Sequence, residues 1–397
     1  MSAASEADKP SDGLFTQTHE RGPVRDEVSS RAWLVAMLDA EAALAGACAD
    51  AGVVPAAAAE TIALVCADAG RFDEKQLGVL AAETGNPVVG LVAAIRAAVP
   101  DDVAAYVHCG ATSQDIVDTA AMLIARRAIA AVSADLDGCA ESAAALTEQH
   151  RDTPMVARTL LQQAVPTTFG LKTALWLHGL TKAGLNLRRI QQELPAQLGG
   201  AAGTLAGYPA PGSGLHTAHA YAARLGLVNP QLPWHTLRYP IGDLAGALAT
   251  TAGILGKIAL DLVLLGQNEV GEITLSDDGR GGSSTIAHKR NPVAAIAARS
   301  AAKRAPGLTA TLFASMEQEH ERAAGAWHAE WPTLSELLIC VGSAAAWLRD
   351  ALDSFDVDED RMAANLTALD SAATAGSAVA LVDRALAEYR TTTDKSE

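Results

Sequence analysis

The stretch from residue 278 to residue 292 concentrates reactive groups. It reads DGRGGSSTIAHKRNP and carries two adjacent hydroxyls, Ser283 and Ser284, followed by a pair of cations that begins with Lys289. Glycines at its start let the backbone bend freely. Asn291 followed by proline is a typical helix start, and the positive end of a helix attracts carboxylates or phosphates. The sequence therefore predicts a mobile anion-binding loop before a helix, although Gly-Gly-Ser-Ser is also typical of a plain flexible connector.

A second polar stretch reads YVHCGATSQDIVDT and leads into a long helical pattern. Thr112 and Asp115 have the spacing of a capping box, in which the two side chains bind each other's backbone at a helix start. Thr112 is therefore either a helix cap or a substrate ligand. Ser113 and Gln114 are left free to bind a substrate carboxylate. His108 lies just before them, either as a further ligand or as a hydrogen-bonded core histidine.

A third stretch, RTLLQQAVPTTFG, begins at Arg158 and includes Gln162, and both side chains are candidates to hold substrate carboxylates. In order along the chain, the three stretches resemble the motifs of the fumarase/aspartase superfamily. The superfamily signature G-S-S-x-M-P-x-K-x-N resembles the segment from Gly282 to Asn291. The second stretch resembles the G-x-T-S-x-D-x-x-D-T motif of the adenylosuccinate lyase branch. Further blocks resemble the 3-carboxy-cis,cis-muconate cycloisomerase family; they are residues 30–39, 199–206, 233–236 and 319–331.

The resemblance implies an all-α, three-domain fold with a central bundle of long helices and a shortened C-terminal domain. It implies a reaction through a doubly charged aci-carboxylate, which must be stabilised by cations and oriented donors. In the resembling enzymes the first serine of the signature is the proposed base, here Ser283, and Lys289 and the helix start are plausible stabilisers of its alkoxide. Ser284 is then a substrate ligand or a simple loop hydroxyl. The resembling enzymes are homotetramers with active sites shared between subunits.

Leu160 distinguishes between the activities of the superfamily. Fumarases and adenylosuccinate lyases carry histidine at this place, and the resembling cycloisomerases usually carry tryptophan. Leucine cannot protonate a leaving amine, whereas a leaving carboxylate needs no proton at neutral pH because its pKa is about 4. The sequence therefore favours lactonisation of a tricarboxylate over an adenylosuccinate-lyase-like elimination. A catalytically silent homologue remains a further alternative, because Ile286 and Ala287 also replace the family's Met-Pro.

Two more residues are candidates for substrate binding through the resemblance. Arg238 follows a block shared with the cycloisomerases, although the aspartate that follows it in the family is here Tyr239. Glu269 belongs to a segment that resembles the family's Q-x-E-x-x-E. It either orients a histidine or a cation, or is a carboxylate on a helix surface.

The composition limits the partners. The chain has 397 residues and a net charge of −16, so nucleic acid and anionic membranes are not expected, and a small polycarboxylate must be held by a local basic cluster. The five cysteines show no metal-ligand spacing and fit a reducing cytoplasm. Neither H-E-x-x-H nor a phosphate-binding glycine loop is present, so we expect no metal and no cofactor. The most apolar stretch, residues 244–265, contains Lys257 and Asp261, which favours a core helix over a membrane span.

Alanine and leucine, both helix formers, carry most of the apolar content, since hydrophobic residues make up 49 % of the chain and aromatic residues only 4 %. The pattern predicts long helices over residues 28–51, 119–150, 166–193, 240–272, 292–320 and 332–354. The predicted organisation is a polar N-terminus (1–13), a helical domain (14–103), a central bundle (104–348) and a short C-terminal domain (349–397).

Overall fold

The computed structural model describes residues 13–275, 281–282, 285–286, 289–367 and 373–393. Within these ranges the chain forms fifteen α-helices and four short strands. In chain order, α1 to α15 are Thr16–His19, Val24–Glu27, Ser30–Asp50, Ala56–Cys66, Glu74–Thr84, Pro87–Ala98, Asp101–Ala104, Ser113–Gln149, Phe169–Glu193, Ser213–Leu225, Tyr239–Leu265, Val293–Ala314, Ala326–Leu352, Glu359–Thr367 and Ala378–Thr393. The strands β1 to β4 are Pro154–Thr159, Gln162–Thr168, Ile273–Leu275 and Phe355–Val357.

The predicted central bundle is confirmed and consists of α8, α9, α11, α12 and α13. Helix α8 packs along α9, and α12 packs along both α11 and α13. Alanine lines much of the buried surface of α12, and small side chains let helix axes approach closely. The core between the helices is closed by larger residues such as Leu123, Leu177 and Leu255, each at most 2 % exposed.

Three helices are long and apolar enough to cross a membrane by length and composition alone, namely α3, α11 and α13. In the structure α11 packs against α9, α12 and α13, which agrees with its prediction as a core helix. Only 44 % of its most apolar window is buried within the subunit, compared with 72 % for α13. Helix α11 therefore leaves apolar surface that a single chain does not cover.

The third polar stretch folds as a β-hairpin, which the all-helical prediction missed. Strands β1 and β2 pair antiparallel with Thr159 opposite Gln162, so Leu160 and Leu161 alone form the turn. Both leucines have left-handed backbones, with φ of 52° and 65°. A two-residue hairpin turn requires this conformation because it matches the twist of the strands, but asparagine and glycine adopt it more easily than leucine.

Two predicted helix starts are corrected as well. Helix α9 begins at Phe169, because residues 162–168 belong to β2, and Pro166 lies in that strand. Helix α13 begins at Ala326, six residues before the predicted start, and contains Pro332. Pro332 is the seventh residue of this helix, beyond the first turn in which proline is tolerated, so it cannot donate the intrahelical hydrogen bond to the carbonyl of His328.

The bundle has two ends that lie far apart. Helix α8 contains 37 residues, which at the α-helical rise corresponds to about 55 Å. Residues 108–118 lie at its beginning, and we call this the capping-box end. The hairpin follows its last turn, and we call that the hairpin end, to which residue 272 is attached through Arg158. Helix α12 starts near the hairpin end and finishes at the capping-box end, where Met316 meets Gly242.

Candidate active site

The capping box predicted at the start of α8 is present. The Asp115 carboxylate accepts a hydrogen bond from the backbone N–H of Thr112 at 2.9 Å, and the Thr112 side chain caps the helix in return. Asp115 also accepts hydrogen bonds from the N–H groups of Gly199 and Gly200, at 3.0 and 2.9 Å, and its Oδ1 lies 2.7 Å from Nε2 of His235. This fully buried carboxylate therefore joins the helix start to the glycine-rich segment that contains Gly199 and Gly200.

Arg238, predicted as a substrate ligand, is buried in a network of ion pairs, and its role as a ligand stays a prediction. It is 1 % exposed and binds two carboxylates, that of Asp118 at 2.7 and 3.0 Å and that of Glu330 at 3.0 and 2.5 Å. Its guanidinium carbon lies 4.6 Å from the centre of the Trp234 ring. Every direction from which a substrate carboxylate would approach is already occupied.

The amide of Gln114, predicted as a free substrate ligand, is hydrogen-bonded within the subunit, and its role as a ligand stays a prediction. Its amide nitrogen donates to Asp118 at 3.1 Å and to the carbonyl of His235 at 2.8 Å, while its oxygen accepts from Arg322 at 2.5 Å. Arg322 also donates to the carbonyl of Ala201 at 2.7 Å. Arg322 was predicted only as part of a family-like block, and nothing in its spacing indicated that its side chain joins the start of α8 to the segment around Ala201.

His108 and Ser113 are the remaining candidates at the capping-box end. The Ser113 side chain is half-buried and makes no hydrogen bond to another described residue. The His108 backbone is left-handed, with φ of 63°, and its Nδ1 lies 2.6 Å from a carboxylate oxygen of Glu41. Burial lowers the pKa of His108, but the charges of Glu41 and Asp115 more than offset this, so its net pKa is raised. A histidine with a raised pKa, at the same end of the bundle as the Ser113 hydroxyl and a helix start, suits a carboxylate ligand.

At the hairpin end, Arg158 anchors the hairpin, and its role as a substrate ligand stays a prediction. Both of its terminal nitrogens bind the Glu272 carboxylate, at 2.9 and 2.7 Å, and Asn365 donates to the same carboxylate at 2.9 Å. Glu272 is fully buried, whereas Glu269, the residue predicted from the same segment, has an exposed side chain. Gln162 is exposed at the start of β2. Glu269 and Gln162 stay predicted ligands.

The signature loop is closed at its base by Asn291. Its backbone N–H and its side-chain amide both donate to the carbonyl of Gly281, at 2.9 and 3.0 Å. Helix α12 begins at Val293 with Pro292 as its cap, so Asn291 closes the loop in place of capping the helix. Lys289 is exposed. The predicted catalytic and binding hydroxyls, Ser283 and Ser284, lie outside the described residues.

The structure therefore places the predicted residues in two groups. His108, Thr112 and Ser113 lie at the capping-box end, whereas the hairpin and the signature loop lie at the hairpin end, about 55 Å away along α8. A small polycarboxylate cannot bridge that distance within one subunit. Among the described residues, no cluster of three or more His, Cys, Asp or Glu side chains is arranged to hold a metal ion.

Known proteins similar to this chain share its fold and much of its sequence. A family model described as lyase matches residues 5–307. A nitrosuccinate lyase of Streptomyces davaonensis is 48 % identical over 364 residues, covering 89 % of this chain and 77 % of that protein. A 3-carboxy-cis,cis-muconate cycloisomerase of Bradyrhizobium diazoefficiens is 48 % identical over 350 residues, covering 87 % of this chain and 77 % of that protein. The crystal structure of a 3-carboxy-cis,cis-muconate lactonizing enzyme from Pseudomonas putida has a TM-score of 0.88 at 35 % identity, covering 96 % of this chain and 99 % of that chain.

Proposed function

Because the chain belongs to the lyase family of the fumarase/aspartase superfamily, we propose that it is a 3-carboxy-cis,cis-muconate cycloisomerase. In this reaction one carboxylate of the tricarboxylate substrate adds to an alkene carbon, and the neighbouring carbon takes a proton, which gives 4-carboxymuconolactone. The reverse reaction removes that proton and expels the carboxylate. The reaction needs no cofactor and no metal.

The observation that carries this proposal is the apolar tip of the hairpin. Leu160 is 96 % exposed and Leu161 is 76 % exposed, in a turn that holds both in the left-handed conformation. A tip that enters an active site would therefore bring an apolar wall and no proton donor. Lactone opening expels a carboxylate, which leaves without protonation. Expulsion of an amine requires an acid that this tip does not supply.

The proton transfer is assigned to Ser283, with Lys289 stabilising the alkoxide that must form. Positive charge and the N-terminus of α12 lower the cost of that alkoxide and of the doubly charged intermediate. At the other end of the bundle, His108 and Ser113 are the groups left to bind a second carboxylate of the substrate. The assignment is supported by the match of this loop to the superfamily signature and by the exposure of Lys289.

Superfamily members are typically oligomeric and act on small polycarboxylates. For this chain we propose a cytoplasmic homotetramer in which the capping-box end of one subunit meets the hairpin end of others. Exposed apolar side chains on the bundle support subunit packing: Leu175 on α9 is 61 % exposed and Phe313 on α12 is 49 % exposed. The separation of the two residue groups supports a shared site, because one subunit cannot bring them together.

A second candidate function is nitrosuccinate lyase, favoured by the relative of that name at 48 % identity. The same abstraction of a proton next to a carboxylate would here expel nitrite and leave fumarate. Nitrite is the anion of an acid and, like a carboxylate, departs without a proton. An apolar hairpin tip is therefore compatible with both reactions, and geometry alone does not separate them.

The test is a comparison of three substrates with purified enzyme. We expect 3-carboxymuconate to lose its ultraviolet absorbance, with no nitrite from nitrosuccinate and no fumarate from adenylosuccinate. Nitrite release without muconate decay would replace the proposal by the second candidate. Adenylosuccinate cleavage would refute the leaving-group argument, and no turnover of any of the three would favour a silent homologue. Ser283→Ala should lower the observed activity by orders of magnitude while Ser284→Ala retains more of it.

A further inference from the structure

Glu41 is a buried carboxylate to which the proposed reaction gives no role. It lies on α3 with no exposed side-chain surface. One of its oxygens is bonded to His108, and the other has no hydrogen-bond partner among the described residues. Burial of a carboxylate costs much free energy unless a cation is paired with it. The pairing with His108 therefore offsets the free-energy cost of burying the Glu41 carboxylate.

The geometry of the pair determines which part of His108 is available. Nδ1 is held at 2.6 Å by Glu41, which has no contact with solvent, while 14 % of the His108 side chain stays exposed. The Nε2 atom makes no hydrogen bond to another described residue. The left-handed backbone of His108 is a strained conformation for a residue other than glycine, and such strain is retained where the surroundings fix it.

Charged groups from three elements face the His108 ring. Glu41 on α3 and Asp115 on α8 raise the pKa of His108, whereas burial and Arg96 on α6 lower it. Asp115 is already bonded to four donors, so Glu41 is the carboxylate that is directly bonded to the ring. Without the negative charge of Glu41, burial would favour the neutral ring.

We propose that Glu41 is a positioning residue that holds His108 as a cation, leaving its Nε2–H to bind a carboxylate of the substrate beside Ser113. The ligand class, a polycarboxylate, rests on the proposed function; the charge state of the pair does not. Among the described residues Glu41 is hydrogen-bonded only to His108, through which it acts. Its removal should therefore weaken carboxylate binding only at pH values where His108 loses its proton.

The test compares Glu41→Gln with Glu60→Gln, which neutralises an exposed carboxylate on α4. Gln keeps a hydrogen-bond acceptor for Nδ1 but removes the charge. The probe is propane-1,2,3-tricarboxylate, titrated by calorimetry from about pH 6 to about pH 9. We expect Glu41→Gln to bind the probe at least about tenfold more weakly than wild type at the alkaline end, one pKa unit being a factor of ten. The difference should close toward pH 6, and Glu60→Gln should follow wild type throughout.

A second readout does not depend on the ligand. Diethyl pyrocarbonate reacts with neutral imidazole, so the pH dependence of labelling at His108, measured by peptide mass spectrometry, follows its protonation. We expect labelling of His108 to begin at lower pH in Glu41→Gln than in wild type. Equal labelling profiles would overturn the proposal. They would mean that Glu41 is already protonated and uncharged in the wild type, so that the uncharged glutamine changes nothing. A binding defect equal at all pH values would indicate a purely structural role and would also overturn it. If labelling shifts but the enzyme turns over none of the three substrates, the proposed function fails and the Glu41 pair stands.

Discussion

Mixed oligomers of two inactive variants test whether the two ends of the bundle meet between subunits. His108→Asn disables the capping-box end, and Lys289→Met disables the hairpin end. Along α8 these ends are separated by 37 residues, or about 55 Å, whereas a tricarboxylate with a six-carbon chain spans less than about 10 Å. If each site takes its two ends from different subunits, some sites in a mixed tetramer carry neither substitution.

The expected yield follows from random assembly. In a one-to-one mixture each end is wild type in half of the cases, so about one quarter of the sites should be intact and active. The two variants are co-expressed with different affinity tags, hybrids are isolated by sequential capture, and turnover is measured on the substrate that the wild type accepts. Each variant alone should be nearly inactive.

A double variant carrying both substitutions gives the matched control. When it is mixed with an equal amount of wild type, a shared site is intact in about one quarter of cases, against about one half if each subunit carried its own complete site. The wild-type subunits should therefore lose about half of their activity by dilution. Hybrids of the single variants that stay as inactive as their parents, together with wild-type subunits unaffected by the double variant, would refute the shared site.

Four further outcomes are expected. Arg238→Gln should lower the free energy of unfolding by about 3–5 kcal/mol, because it leaves two buried carboxylates unpaired. The midpoint of unfolding in urea should fall by a larger fraction than the substrate KM rises. Gly281→Ala should reduce kcat at least about tenfold, since a left-handed alanine costs roughly 1–2 kcal/mol. The added Cβ would also lie 2.2 Å from the backbone oxygen of Asn291 across the loop. Gly282→Ala serves as control, because a Cβ at that residue meets nothing within 4 Å. Leu160→Trp should keep more lactonising activity than Leu160→His, because an imidazole buried where the tip enters an active site must find a hydrogen-bond partner. A faster His variant would contradict the leaving-group argument. A hydrogen bond from Cys48 lowers the pKa of Cys109 to about 7, so iodoacetamide at pH 8 should alkylate Cys109 before the other thiols, as peptide mass spectrometry will show.

The spacing of apolar residues predicted the bundle, because that spacing depends only on which face of each single helix is apolar. The stretch around Leu255 repeats apolar residues along one face, and such a face must be buried wherever the helix lies. The hairpin was missed for the opposite reason. Its turn consists of Leu160 and Leu161, whereas glycine and asparagine are the residues typical of a two-residue turn. The local sequence therefore disfavours the left-handed conformation that the fold imposes on both leucines.

The motifs identified candidate site residues, but they did not predict the hydrogen-bond partners of those residues. Arg238 and Gln114 belong to motifs that are typical of a binding role. Arg238, however, binds Asp118 and Glu330, which lie 120 and 92 residues away in the sequence, and Gln114 binds Arg322, which lies 208 residues away. No spacing within a motif can show that a distant carboxylate has saturated a guanidinium. The capping box was predictable, because Thr112 and Asp115 satisfy each other within one helical turn.

Saturation of donors and acceptors is therefore the property that separates binding groups from structural ones in this site. Gln114 and Ser113 are neighbours at the start of α8, but Gln114 is 1 % exposed with its amide fully paired, whereas the Ser113 hydroxyl is bonded to no other described residue. A substrate carboxylate that displaced a partner of Gln114 would leave a buried polar atom unsatisfied, at a cost of about 1–3 kcal/mol. Binding to the Ser113 hydroxyl and to Nε2 of His108 carries no such cost, because neither atom must first give up a partner among the described residues. The buried network fixes where the helix starts, and the unsaturated residues beside it are free for the substrate.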